Sequence, residues 1–188
     1  MALRREGGAT RAYHPVPLDS IAKAVQEAVT TGEDARFWTH HGIDYVELRA
    51  TLGYRYPTFD WGSRRDRSEL WRAVGKTWGK HDALRGASTI TQQLAKNLYL
   101  SPSRSPLRKL KEAVTAWRLE WVLGKKRILE LYLNVAEMGP GVWGVEAASR
   151  KYFDHSAKRL TESETAALAA TLAFPLLSNP GYKPARMR

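Results

Sequence analysis

Three carboxylates stand where a chain could do chemistry. Glu33 and Asp34 are adjacent in GEDARFWTHHGID, and Glu112 closes RKLKE. The adjacent pair follows a glycine and precedes Phe37 and Trp38. An apolar wall disfavours the charged carboxylate, which suits a group that must accept a proton near neutral pH. A break between helices is also where a side chain can project into a cleft. The ordinary alternative is a solvated acid, or one that caps the next helix. Glu112 lies four residues after Arg108 and three after Lys109, so a helix puts all three on one face. Such a group is either a surface ion pair worth ~0–1 kcal/mol or a carboxylate set among cations that face an anionic substrate.

The cations gather around the same place: Lys96, Arg104, Arg108, Lys109 and Lys111. A solvated helix face explains many such runs. Here Lys96 closes one helix, Arg104 lies in a Ser/Pro loop and Arg108 follows in the next helix. Three cations converging beside a helix N-terminus make a phosphate or pyrophosphate site. His40 and His41 do not read as a metal pair, because adjacent helical residues point ~100° apart. A packed, hydrogen-bonded histidine is the expectation. TQQLA resembles the first helix of a helix-turn-helix DNA reader, but SPSRSP follows where a short turn and recognition helix should stand.

Composition frames this chemistry. The 188 residues favour one domain, 1–188, and the formal net charge of +11 points to an anionic partner such as a nucleic acid, a membrane surface or a phosphate-bearing substrate. Without cysteine there is neither disulfide nor thiolate metal site. No apolar run reaches the ~18 residues of a membrane-spanning helix, and the charged start MALRREGGATRAYHPVP has no signal-like apolar core.

Positioning falls to helices. Leu18, Ile21, Ala22, Val25, Ala28 and Val29 recur at helical steps, and Gly32 is expected to break that helix. Tyr45, Leu48 and Leu52 predict a short helix after Asp44. Residues 53–67 read as loop, and Leu70, Trp71, Val74 and Trp78 restore a helical stripe. Thr89 with Gln92, and Thr161 with Glu164, have the spacing of capping boxes. Pro106 suits a first helical position and Gly124 a helix end; between them Leu107, Leu110, Val114, Trp117 and Trp121 form an apolar stripe. KKRILELYLNVAEMG predicts a further helix, with Gly139, Gly141 and Gly144 making a turn. Strand-like alternation is nearly absent. The expectation is an all-α domain of about seven helices, preceded by a flexible segment of about residues 1–16.

GEDARFWTHHGID, GASTITQQLAKN, RKLKE and ILELYLNVAEMGPGVWGVEAASRKYF together resemble, in chain order, the signature blocks of the peptidoglycan glycosyltransferases. LNVAEMGPGVWG is most similar to the monofunctional biosynthetic transglycosylase type. The resemblance covers roughly residues 16–182. It implies a lysozyme-like helical domain with a smaller membrane-facing jaw. It also implies that lipid II is polymerised into glycan strands, with inversion at the anomeric carbon and release of undecaprenyl pyrophosphate.

By motif position the resemblance makes Glu33 the general base and Glu112 the second carboxylate, near the donor's pyrophosphate. It sets Lys96, Arg104, Arg108 and Lys109 on that pyrophosphate, and Ser88, Thr89, Gln92, Gln93 and Asn97 along the cleft. It implies Mg²⁺ or Mn²⁺ without indicating ligands. The implied partners are lipid II, the growing strand and the membrane lipid surface, with cell-wall synthesis proteins as further candidates and no nucleic acid. The implied location is the periplasmic side of the inner membrane, although this sequence shows no transmembrane anchor. About residues 45–80, basic and rich in Trp and Tyr, are the expected membrane-facing region. A lysozyme-like hydrolase, which also uses two carboxylates, is the nearest rival, but a neutral glycan gives the clustered cations nothing to neutralise.

Overall fold

The computed structural model describes residues 12–51, 59–78, 88–99, 106–173, 175–176 and 178–181. Among them are seven α-helices: α1 (Lys23–Glu33), α2 (Tyr45–Thr51), α3 (Arg64–Trp78), α4 (Ile90–Tyr99), α5 (Pro106–Val135), α6 (Val145–Phe153) and α7 (Glu162–Ala173). The helical architecture expected from the sequence is therefore the one adopted. Three very short strands were not legible: β1 (Ala12–Tyr13), β2 (Glu137–Gly139) and β3 (Val142–Trp143), in spatial order β1-β3-β2. Strands of two or three residues are too brief to show an alternating pattern. The anticipated Gly139–Gly144 turn is the antiparallel β2–β3 hairpin, and β1 runs parallel to β3.

One glycine behaves differently from expectation. Gly32 does not break α1; the helix runs on to Glu33, and the Asp34 N–H closes the last turn on the Thr30 carbonyl at 3.0 Å. A glycine costs a helix about 1 kcal/mol, and the core packing of Val25 and Val29 on the same helix offsets it. Gly124 ends a helical arm as expected, with φ 69° and ψ 162°, and the second helix read from KKRILELYLNVAEMG follows at once. α5 therefore has two arms, residues 106–123 and 125–135.

Those arms have opposite characters. The second buries Ile128, Leu129, Tyr132 and Leu133 against Val25 and Val29 of α1, Ile90 and Leu94 of α4, Val145 of α6 and Leu168 of α7. Each such aliphatic side chain contributes about 1.5–3 kcal/mol through burial. Asn134 ties the N-terminal segment to this arm: its Oδ1 accepts from the Val16 N–H and its Nδ2 donates to the Val16 carbonyl, both at 2.8 Å. In the first arm, among residues 107–123, only Glu112 and Ala116 are buried.

The backbone at Gly124 lies in a region open essentially to glycine alone. Among the described residues, no atom beyond its chain neighbours and its own helix backbone lies within 4 Å of where its Cβ would be. Gly124→Ala is therefore expected to destabilise the fold by about 1–3 kcal/mol through backbone strain only, measured as a lower urea midpoint with an unchanged slope.

Candidate active site

The two adjacent acids at the end of α1 have different fates. Asp34 is buried; its Oδ2 accepts the Ile90 N–H at 2.9 Å, and its carboxylate lies 2.9 Å from His40 Nε2. Since His40 Nδ1 accepts from the Gly42 N–H at 3.2 Å, the ring carries its proton on Nε2 and donates to Asp34. Asp34 thereby occupies an orphan amide at the start of α4. Glu33 is only partly buried, and its Oε2 accepts from Gln93 Nε2 at 2.9 Å.

α4 starts as its capping box dictates. Thr89 Oγ1 accepts the Gln92 N–H, and Gln92 Oε1 accepts the Thr89 N–H, both at 3.1 Å. Thr89 Oγ1 also donates to the Gly42 carbonyl at 2.7 Å, fastening the cap to the loop after α1. Thr89 and Gln92 are both buried, so in the free protein their polar atoms serve the cap. The next residue, Gln93, is turned toward the acids. Its Oε1 accepts from the Tyr132 hydroxyl at 2.9 Å, which fixes the amide with its NH₂ toward Glu33. Burial, with Glu33 and Asp34 adding to it, pushes the Tyr132 phenol well above its ordinary pKa, so it stays a neutral donor.

Glu112 is 2% exposed, and both its oxygens are engaged. Arg108 Nη1 donates to Oε2 at 3.0 Å, and Lys109 Nζ donates to Oε1. Lys109 Nζ also reaches Ser88 Oγ at 2.8 Å. Ser88 offers its carbonyl to Gln93 Nε2 at 3.4 Å. An unbroken polar path thus runs from Glu33 through Gln93, Ser88 and Lys109 to Glu112 and Arg108. Lys96 lies one turn beyond Gln93 on α4, and its charge interacts with Glu112, Lys109, Arg108 and Glu33 together. Asn97 shares that helical face. Glu33, Gln93, Ser88, Lys109, Glu112 and Arg108 are therefore joined by hydrogen bonds with Lys96 beside them, Thr89 and Gln92 serve the adjoining α4 cap, and Arg104 lies outside the described residues.

Lys96 is exposed, yet its pKa falls below the ordinary lysine value. Desolvation is the main cause; repulsion from Lys109 and Arg108 adds to it, while Glu112 and Glu33 oppose it. Three cations against one paired carboxylate leave this end of the groove with an excess of positive charge. No group of three His, Asp or Glu side chains fit to hold a metal ion occurs among the described residues. With both Glu112 oxygens held by cations, a divalent ion has no ready protein cage here.

Behind the groove a second polar network braces it. Glu120 Oε1 accepts from Lys125 Nζ at 2.7 Å and from Thr91 Oγ1 at 2.6 Å, linking α5 to α4. The Lys125 ammonium lies 4.5 Å above the centre of the buried Phe37 ring. Trp38, the other residue of the expected apolar wall, is about half exposed. At Gly42, with φ +85°, an added Cβ would meet the Ala116 carbonyl at 3.1 Å, so the loop after α1 lies directly against α5.

The sequence reading did not single out Tyr132. It sits in the apolar run ILELYLN, and its hydroxyl was the only hint of a second role. Tyr132→Phe removes the donor that orients Gln93. The expected cost is about 1–2 kcal/mol of stability in chemical denaturation, with the Gln93 amide no longer anchored at its oxygen.

A family model described as transglycosylase matches residues 2–56 and 59–188. The biosynthetic peptidoglycan transglycosylase of Bordetella pertussis is 43% identical over 178 residues, covering 95% of this chain and 64% of the relative. The protein of that name from Shewanella amazonensis is 45% identical over 160 residues, covering 85% of this chain and 56% of the relative. That of Pasteurella multocida is 43% identical over 165 residues, covering 88% and 58%. This chain thus spans less than two thirds of the length of these relatives. With the groove inside the matched residues and relatives at 43–45% identity along most of its length, the chain belongs to the transglycosylase family.

Proposed function

We propose that this domain polymerises a lipid-diphosphate-linked disaccharide, lipid II, into peptidoglycan glycan strands. The observation that carries this reading is the polar path from Glu33 to Glu112, Arg108 and Lys109, with Lys96 beside it. It sets a proton acceptor opposite a cationic end within one groove.

The reaction follows from that polarity. The 4-hydroxyl oxygen of the acceptor sugar attacks the donor's anomeric carbon, and its proton passes to the Glu33 carboxylate. The bond from that carbon to the diphosphate oxygen breaks, and its electron pair leaves with the lipid pyrophosphate. A single displacement inverts the anomeric centre. The leaving group needs its charge neutralised rather than a proton. Lys96, Lys109 and Arg108 supply that, each charge-assisted hydrogen bond being worth about 1.5–3 kcal/mol. Arg104 is proposed as a fourth contact from its sequence position. Glu112 keeps Arg108 and Lys109 in place, and Gln93 holds the Glu33 carboxylate. Ser88 and Asn97 line the groove, while Thr89 and Gln92 support it through the α4 cap. A Mg²⁺ or Mn²⁺ ion, which the family resemblance implies, would come held chiefly by diphosphate oxygens.

The membrane as workplace belongs to this proposal, because the substrate is a lipid. No helix among the described residues is long and apolar enough to cross a membrane. Neither rival reading gains support. α4 buries Ile90, Thr91, Gln92, Leu94 and Ala95 and spends Thr89 and Gln92 on its own cap, and a neutral-glycan hydrolase has no use for the cations.

Two outcomes follow. In a lipid II polymerisation assay, Glu33→Gln is expected to lower the rate by about 10²–10⁴-fold with the fold intact; an unchanged rate would remove Glu33 from the base role. Because its pKa is depressed, Lys96 loses its charge below the ordinary lysine value of about 10.4. Inorganic pyrophosphate affinity, measured by calorimetry, should therefore weaken as pH rises through that lowered value, and Lys96→Gln should abolish this limb.

A further inference from the structure

The two arms of α5 serve the two ends of the groove. The first bears Arg108, Lys109 and Glu112; the second bears Tyr132, whose hydroxyl orients Gln93 toward Glu33. They meet at Gly124, whose backbone leaves helical values. Glycine stiffens such a joint less than any other residue. Packing compensates only near the break. Leu119 and Leu123 rest partly buried on the core, but of the rest of the arm only Glu112 and Ala116 are buried. Leu107, Leu110, Val114, Trp117 and Trp121 all face outward and do nothing to fix the arm on the domain.

The length of the arm makes its direction matter. Arg108 stands sixteen residues from Gly124, which is about 24 Å along a helix. A tilt of about 10° at the break would carry it by about 4 Å. A misplacement of about 1 Å between reacting groups can cost about 100-fold in rate. Something besides the backbone must therefore set the angle.

One ion pair spans the break. Glu120, in the last turn before Gly124, accepts from Lys125, the first residue after it, at 2.7 Å. The two side chains are only 6% and 17% exposed, so water screens this pair far less than a surface pair. Each partner is also tied to the base end of the groove. The Thr91 hydroxyl donates to Glu120 Oε1 at 2.6 Å, and Thr91 follows Ile90, whose amide Asp34 accepts. Lys125 Nζ lies 3.5 Å from His40 Nδ1 and 4.5 Å above the Phe37 ring, both in the loop after Asp34. That loop presses on the same spot: a Cβ at Gly42 would come within 3.2 Å of Glu120 Cγ. Both arms, the start of α4 and the loop after α1 thus converge on one pair of side chains.

We propose that Glu120 and Lys125 are positioning residues that lock the angle between the two arms at Gly124, and so hold the cations of the first arm in register with Glu33. This deepens the function proposed above and rests on it. Neither residue belongs to the polar path from Glu33 to Arg108; both act through the direction of the arm. The pair carries no net charge, so its loss changes the geometry of the groove and leaves the charge of the groove as it was.

The chain has no cysteine, so two can be introduced to carry spin labels. One is placed at Leu110→Cys on the first arm and the other at Ala24→Cys on α1, the helix that ends in Glu33; both positions are exposed. Pulsed electron spin resonance should give one narrow distance distribution for the otherwise unchanged chain. Glu120→Gln combined with Lys125→Met removes the pair without leaving a buried charge behind. It should broaden that distribution or shift it by about 3 Å or more. Its affinity for inorganic pyrophosphate, measured by calorimetry, should fall about tenfold, the equivalent of one charge-assisted hydrogen bond. Glu120→Gln alone, which still accepts from Thr91, should show a smaller change of the same kind, and Lys125→Arg should keep both readings close to the parent's. Neither measurement uses lipid II, so this inference and the polymerisation reading fail separately. A distance distribution and a pyrophosphate affinity that both survive loss of the pair would overturn the proposal. A lower urea midpoint with those two readings unchanged would do the same, because it would reduce the pair to ordinary stabilisation.

Discussion

A single buried carboxylate holds the groove in register. Asp34 ends α1 and accepts the first amide of α4, so two helix ends meet head-on at one hydrogen bond of 2.9 Å. The second contact of Asp34, with His40, fixes the loop that also receives the Thr89 hydroxyl. Removing either donor would leave a buried carboxylate oxygen unsatisfied, at a cost of about 1–3 kcal/mol or more. Glu33 precedes Asp34 and Gln93 lies three residues after Ile90, so the bond between them depends on this junction. The adjacency of the two acids is thus a division of labour: one closes the joint, and the other is presented beside it.

The electrostatics of the groove follow from how its second carboxylate is treated. A buried ion pair gains little net stability, because desolvation offsets the Coulomb attraction. The arrangement of Arg108, Lys109 and Glu112 is better understood as preorganisation. The carboxylate keeps two cations close together that would otherwise repel, while desolvation first, and repulsion from these two cations second, lower the pKa of Lys96. Cations fixed in place before a ligand arrives need little rearrangement when it does.

Much of this was legible in the sequence because it rests on local rules. Two capping boxes, the short helix after Asp44 and the first-turn proline of α5 depend on neighbours within a few residues, and all appear as read. The same holds for Arg108, Lys109 and Glu112, whose spacing alone puts them on one face. What escaped depends on distant partners. Gly32 reads as a breaker, but the packing of α1 carries the helix one residue past it. β1 pairs with β3 across more than a hundred residues, and all three strands are too short to show a period. The periodicity of α5 gave its apolar stripe correctly and was silent on direction; only the inward demand of Glu112 and Glu120 turns that stripe to the outside. Tyr132 looked like core, and it is core, with one hydroxyl that orients the amide holding Glu33.

The most direct test of the central claim is a crystal structure of this chain with a non-hydrolysable lipid-diphosphate disaccharide analogue. The account predicts the diphosphate on Lys96, Arg108 and Lys109, with the Glu33 carboxylate on the open side of the anomeric carbon where an acceptor hydroxyl would enter. A diphosphate seated away from these cations, or a Glu33 side chain turned from the sugar while still bound to Gln93, would contradict it.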